Sequence, residues 1–230
     1  MTAPTTPPSH ALLTSLEELG PLPALAWHGE ASRIELSGHV LANWVIKAIG
    51  HLHDEVALEP GDRVVLDLAP HWKRLVLALA AWSLGGEVVV LPRDLAGVEP
   101  AAAVPDGVED PRVVITDRPG SALAETADEV LAVQPVSLAP RYDGELPPLV
   151  RDWLVEVRSS PDRLDVPLPD WTGPSPAVSS EDSPRLLVEG DGLASVPRVL
   201  SAWGAGGGIV GPAAAVTDHR AAEEGVTARA

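Results

Sequence analysis

The passage AWSLGGEVVVL at 81–91 comes back as AWGAGGGIVGP at 202–212. In both, a small apolar run ends in glycines and passes into a short aliphatic run. A glycine just past a helix readily takes the left-handed conformation that closes the last turn. A short Val- or Ile-rich run after it suits a buried parallel strand. Upstream, RVVLD at 63–67 and RLLVE at 185–189 put a strand before each helix. Strand, helix, strand in about 30 residues is a βαβ unit, which closes right-handed onto a parallel sheet. The chain is therefore expected to be three-layer α/β, with a mostly parallel sheet and two pseudo-repeated βαβ units. Arg63–Asp67 would match Arg185–Glu189, Trp82 would match Trp203, and Gly85-Gly86 would match Gly206-Gly207.

Between these landmarks the pattern predicts a hairpin over 24–36 and an amphipathic helix over 38–55, with Ser37 at its cap. Helices are predicted at 72–84, 121–127, 147–158 and 193–203. Further strands are predicted at 87–91, 112–116, 129–133 and 208–210. Residues 1–10 read as a disordered tail and 11–158 as a first α/β unit. Residues 159–184, rich in Pro, read as a linker or long loop. The second βαβ unit would run over 185–216, and 217–230 would be a mobile tail or frayed helix.

Composition narrows the function. The 230 residues carry a formal charge of −17. That charge argues against nucleic acid, which is bound through clustered Lys and Arg, and against anionic membrane surfaces. Cys is absent, so thiolate ligands and a Cys nucleophile are excluded. The longest apolar run, LVLALAAW at 75–82, is far short of the roughly 20 residues of a membrane span. The start, MTAPTTPPSH, lacks the basic and apolar regions of a signal peptide. A cytoplasmic location is expected.

Few residue patterns carry chemistry. Gly206 to Gly211 fits G-x-G-x-x-G, but it follows a helix and enters a strand, the reverse of a dinucleotide fingerprint. It reads as a helix cap. His51 and Glu55 have the i, i+4 spacing of a metal pair but read as a solvated helix face, and Lys47 reads as a surface residue. No metal site is expected. Open parallel sheets bind ligands beyond the carboxyl ends of their strands. That edge carries Asp67, His71 and Trp72 after the first strand and Glu189 and Asp191 after its counterpart. If the units are pseudo-symmetric, these groups converge on one acidic mouth, which would suit a cationic or polyhydroxyl ligand better than a phosphate.

The stretch PGDRVVLDLAPHWKRLVLALAAWSLGGEVVVLP, 60–92, resembles the start of the adenylate-forming, AMP-binding enzymes, which include acyl-CoA synthetases and peptide-synthetase adenylation domains. ELSGHVLANWV at 35–45 and VVITD at 113–117 look like neighbouring segments of that family, and 185–212 resembles the part after its phosphate loop. The chain is most similar to a short actinobacterial family related to AMP-binding enzymes. The resemblance implies a truncated N-terminal domain of that superfamily. It also implies a Ser/Thr/Gly-rich loop ending in Lys between about 158 and 185. The chain has PDRLDVPLPDWTGPSPAVSSEDSP there, with no Lys and one Gly. The family's aromatic-Gly-x-Thr-Glu motif, its ribose-binding Asp motif and its C-terminal domain with a catalytic Lys are not found.

The expectation is a small-molecule or protein-binding module without adenylating activity, with no catalytic residues and no cofactor. The alternatives are a nucleotide-binding acyl-CoA synthetase-like enzyme with a remodelled phosphate site, which would take AMP or ATP, and a structural subunit completed by a partner protein. Open sheet ends would suit a homodimer or a larger partner.

Overall fold

The computed structural model describes residues 8–29, 32–93, 108, 110–178 and 182–230. In chain order the elements are α1 (Pro8–Leu19), β1 (Pro23–Gly29), β2 (Ser32–Ser37), α2 (Gly38–Asp54), β3 (Arg63–Asp67), α3 (Trp72–Ser83), β4 (Glu87–Val90), β5 (Val113–Thr116), β6 (Glu129–Ala132), β7 (Arg151–Asp152), α4 (Trp153–Glu156), β8 (Arg185–Leu187), α5 (Val196–Gly204), β9 (Gly208–Gly211), α6 (Asp218–Glu223) and β10 (Ala228–Arg229). They divide into two compact units, one of Met1–Trp44 with Gly173–Ala230 and one of Val45–Thr172. The division falls within α2.

The Val45–Thr172 unit holds a five-stranded sheet in the order β4-β3-β5-β6-β7. Every pairing in it is parallel. Its strands are short Val, Leu and Ile runs, and β5 is buried along its whole length, as a strand covered on both faces must be. All twelve residues of α3 are buried, including Lys73 and Arg74.

The other unit holds a mixed sheet in the order β10-β8-β9-β1-β2. The β1–β2 hairpin expected from the sequence is there and is antiparallel. The β1–β9, β8–β9 and β10–β8 pairs are parallel. α1 packs on α5 and β1. The Trp203 indole on α5 donates to the Ala24 carbonyl on β1 at 3.0 Å.

The two βαβ units match down to individual hydrogen bonds. Arg63 pairs with Glu87 and Arg185 with Gly208, and the next two pairs of each ladder stay in step. Gly85 N–H donates to Trp82 O at 3.1 Å, and Gly206 N–H to Trp203 O at 3.0 Å. Gly86 N–H donates to Ala81 O at 2.9 Å, and Gly207 N–H to Ala202 O at 2.8 Å. Gly85 and Gly206 have φ of 76° and 78°, the left-handed value a helix-closing glycine supplies without steric cost. The helix-cap reading of Gly206-Gly207 is thus what the structure shows. The units occupy two sheets, so their strand ends do not form one common sheet edge.

Other expectations shift. The helix over 147–158 contracts to α4 and one 3-10 turn, Val157–Ser159. Asp152 starts it, its carboxylate accepting from Leu154 and Val155 N–H. Leu149, within the span expected to be helical, is 96 % exposed with φ 69°. The helix over 121–127 is a single 3-10 turn, Ala124–Thr126. Residues 217–230, expected as a mobile tail or frayed helix, form α6 and the edge strand β10, because β8 leaves a free edge for β10 to pair with. Residues 1–7 of the expected N-terminal tail lie outside the described residues.

Candidate functional site

In a parallel sheet the carboxyl ends of neighbouring strands lie side by side, so residues far apart in sequence meet there. β3 ends in Asp67, β5 in Thr116 followed by Asp117 and Arg118, and Arg93 follows β4 by three residues. The Asp67 carboxylate, 2 % exposed by residue, accepts from Thr116 Oγ1 at 3.1 Å. It also accepts from Arg93 Nη1 at 3.0 Å and from Arg118 Nη2 at 2.8 and 2.9 Å. Arg93 reaches on to Asp117 through Nη1 at 3.3 Å and Nη2 at 3.2 Å. The Tyr142 hydroxyl donates to Asp117 O at 3.0 Å.

Two carboxylates therefore face two guanidiniums in a charge-balanced cluster. Burial works against the Arg93 charge, yet Asp117 and Asp67 hold its pKa above the ordinary value. Burial first, then Asp117, raises that of Tyr142. Buried charges persist only when paired in this way.

His71 and Trp72 sit at the start of α3 and are almost fully buried. His71 caps the helix: its Nδ1 accepts from Lys73 N–H at 3.2 Å. That bond leaves the proton on Nε2, which lies 3.3 Å from Ser137 Oγ. The Trp72 indole donates to the same oxygen at 3.3 Å. Lys73 Nζ donates to the carbonyls of Gln134 and Val136 at 2.8 and 2.6 Å. The start of α3 is thereby tied to the segment after β6.

The structure brings Asp67, His71 and Trp72 into one unit and puts Glu189 and Asp191 in the other. Glu189 is exposed. Asp191 is buried, and its carboxylate accepts from Leu193 N–H at 3.3 Å. Sequence reasoning missed Arg93, Asp117, Arg118, Ser137 and Tyr142. The strand-end phrases PRD and TDRP were the available signal for the two arginines.

Two further clusters correct the reading of the histidines. His51 is not on a solvated face but wholly buried, with Nε2 2.8 Å from Glu156 Oε2. Lys47 is half-buried and donates to the carbonyls of Ser160 and Arg158. Close by, a cavity of about 310 Å³ is lined by Asp54, Glu55, Arg151, Glu156, Ser159, Ser160 and Pro161. In the other unit, His28 gains a partner that its local sequence does not show: Glu224, at 2.9 Å. Arg33 Nε and Nη2 reach the same carboxylate at 2.5 and 3.0 Å. Among the described residues, no group of three or more His, Asp or Glu side chains is placed to hold a metal ion. No described helix is long and apolar enough to cross a membrane.

The chain is 29 % identical over 210 residues to a TIGR03089 family protein of Mycobacterium tuberculosis (strain ATCC 25618 / H37Rv), covering 87 % of this chain and 80 % of that one. Its coordinates superpose on the N-terminal domain of FACL13 from Mycobacterium tuberculosis with a TM-score of 0.68 at 14 % identity, covering 98 % of this chain. The fold is that of an AMP-binding enzyme's N-terminal domain. The resemblance read from 60–92 is borne out, and so is the three-layer α/β fold, with one parallel and one mixed sheet. Acetoacetyl-CoA synthetase from Streptomyces lividans matches with a TM-score of 0.63 at 15 % identity over 90 % of this chain. MbtA of Mycobacterium smegmatis matches with 0.65 at 15 % over 97 %. The chain spans 62 % of the FACL13 chain, 38 % of the synthetase and 47 % of MbtA. No family model matches the chain.

Proposed function

We propose that this chain is a binding module on the acyl-CoA synthetase fold and does not form adenylates. The supporting observation is the charge-balanced cluster at the carboxyl edge of the parallel sheet. Asp67, Arg93, Asp117 and Arg118 bind one another there, so among the described residues both arginines of this edge are already engaged by carboxylates. Residues 159–184, where the resemblance puts the phosphate loop, contain no Lys. Adenylate formation needs donors aimed at the developing pyrophosphate charge.

On this reading Asp67 organises the strand ends. Within the parallel-sheet unit, His71 and Trp72 are candidate contacts for a small molecule or a protein. Within the other unit, the acidic Glu189 and Asp191 are separate candidates, better suited to a cationic or polyhydroxyl ligand than to a phosphate.

The test is pyrophosphate–ATP exchange with a panel of carboxylates, together with thermal unfolding in millimolar ATP or AMP. We expect no exchange above the protein-free rate and no change in Tm. Exchange with any carboxylate overturns the proposal in favour of an active nucleotide-binding enzyme. A nucleotide present at 100 times its Kd would add about 2.7 kcal/mol, which a melting curve resolves easily.

A further inference from the structure

His51 lies near the end of α2 with its ring fully buried. The segment that meets it is 151–160, which runs through β7, α4 and one 3-10 turn. The β6–β7 pairing, the Tyr142 N–H donated to the Asp152 carboxylate and Arg158 on the carbonyls of Ala139 and Pro140 help to hold this segment, together with the contacts that follow. Trp153, Leu154 and Val157 are buried. Lys47 Nζ holds the carbonyls of Arg158 and Ser160. Arg151 Nη1 donates to Glu55 O at 2.6 Å, and Nη2 to Glu55 Oε2 at 3.1 Å. Glu156 Oε2 receives both Arg151 Nε and His51 Nε2, each at 2.8 Å. The same segment contributes Arg151, Glu156, Ser159 and Ser160 to the wall of the 310 Å³ cavity.

The chemistry of the imidazole then decides the behaviour. A carboxylate only accepts, so Nε2 carries the proton of the neutral ring and donates it to Glu156. His51 Nδ1 is buried and has no hydrogen-bond partner. That arrangement suits a bare ring nitrogen and does not suit an N–H. A second proton would leave a buried donor without an acceptor, which costs the desolvation of that group.

We propose that His51 is the latch of an acid-released strap: protonation of its ring frees residues 151–160 and opens the cavity they wall.

The charged groups acting on the ring are Glu156 from α4, Arg151 from β7 and Glu55 just past the end of α2. Burial lowers the His51 pKa from its ordinary 6.5 more than Glu156 raises it, and Arg151 adds to the lowering. The opened strap therefore takes up the proton before the closed one does. The closed state is fully favoured above about pH 6.5 and loses ground as pH falls toward the lowered value. The opening equilibrium rises by at most about tenfold per pH unit in that window.

Hydrogen exchange of the 151–160 amides between pH 7.5 and 5, corrected for intrinsic rates, tests this in the full chain. His51→Gln serves as the comparison, and the ring of His51 is followed by NMR. We expect strap opening to rise as pH falls, in step with the His51 titration, while the β3 and β5 amides stay protected. The His51→Gln chain should lose that slope whatever its overall stability. Equal slopes in the two chains, unfolding of the whole unit together, or a His51 ring that titrates without any change in the strap would each overturn the proposal.

Discussion

The Glu224 carboxylate accepts from His28 and Arg33, and Arg185 lies 3.6 Å away. The Arg33 hydrogen bond, working against burial, holds its pKa down from 4.5 to about 2. A carboxylate whose folded pKa is depressed stabilises the fold above its unfolded value, and that stability is lost as pH falls through the folded one. We expect Glu224→Gln to lose about 1–3 kcal/mol at pH 7 and to flatten the fall in stability between pH 4.5 and 2, read by urea unfolding across that range. None of this was legible locally: His28 and Glu224 are 196 residues apart, and neither stands in a motif. His51 was misread for a related reason. Its i, i+4 neighbour Glu55 suggested a solvated face, whereas its actual partner arrives from 105 residues away.

At the scale of elements, the two helix-to-strand passages carry the most information. After each helix the first glycine takes a positive φ and the second admits a close backbone approach. A Cβ at Gly207 would stand 2.0 Å from Pro184 O, whereas at Gly86 the nearest atom, Ala81 O, would be 3.1 Å away. Gly207→Ala should therefore cost more than Gly86→Ala, about 1–3 kcal/mol of overpacking, measured by thermal or urea unfolding of the two single variants. Equal costs would contradict the structure. These passages were readable because helix closure and strand burial depend on a few adjacent residues. The short elements were not. β7 and β10 have two residues each, too few for any periodicity, and they exist because a neighbouring strand offers an edge. Asp67 was correctly placed at a strand end, but the arginines that engage it come from two other strand ends.

For the whole molecule, the formal charge of −17 dominates. Many of its ion pairs are at the surface, where each is worth little, so the excess of carboxylates repels itself more than the pairs attract. Raising salt from 10 to 100 mM shortens the screening length from about 30 Å to about 10 Å. Tm should rise by roughly 2–4 °C, equivalent to about 1 kcal/mol for a chain this size. A Tm that falls with salt would show that ion pairs outweigh the repulsion.

The sequence alone determined the α/β class, both βαβ units, the hairpin and the resemblance to AMP-binding enzymes. Each depends on residues within a few positions of one another, where periodicity and turn chemistry act. Only the tertiary structure decided that the two units lie in separate sheets. The same is true of the Asp67–Arg93–Asp117–Arg118 cluster and of the partners of His28 and His51. Strand pairing and charge burial are settled by which distant segments come into register, and a strand-forming sequence does not name its neighbour.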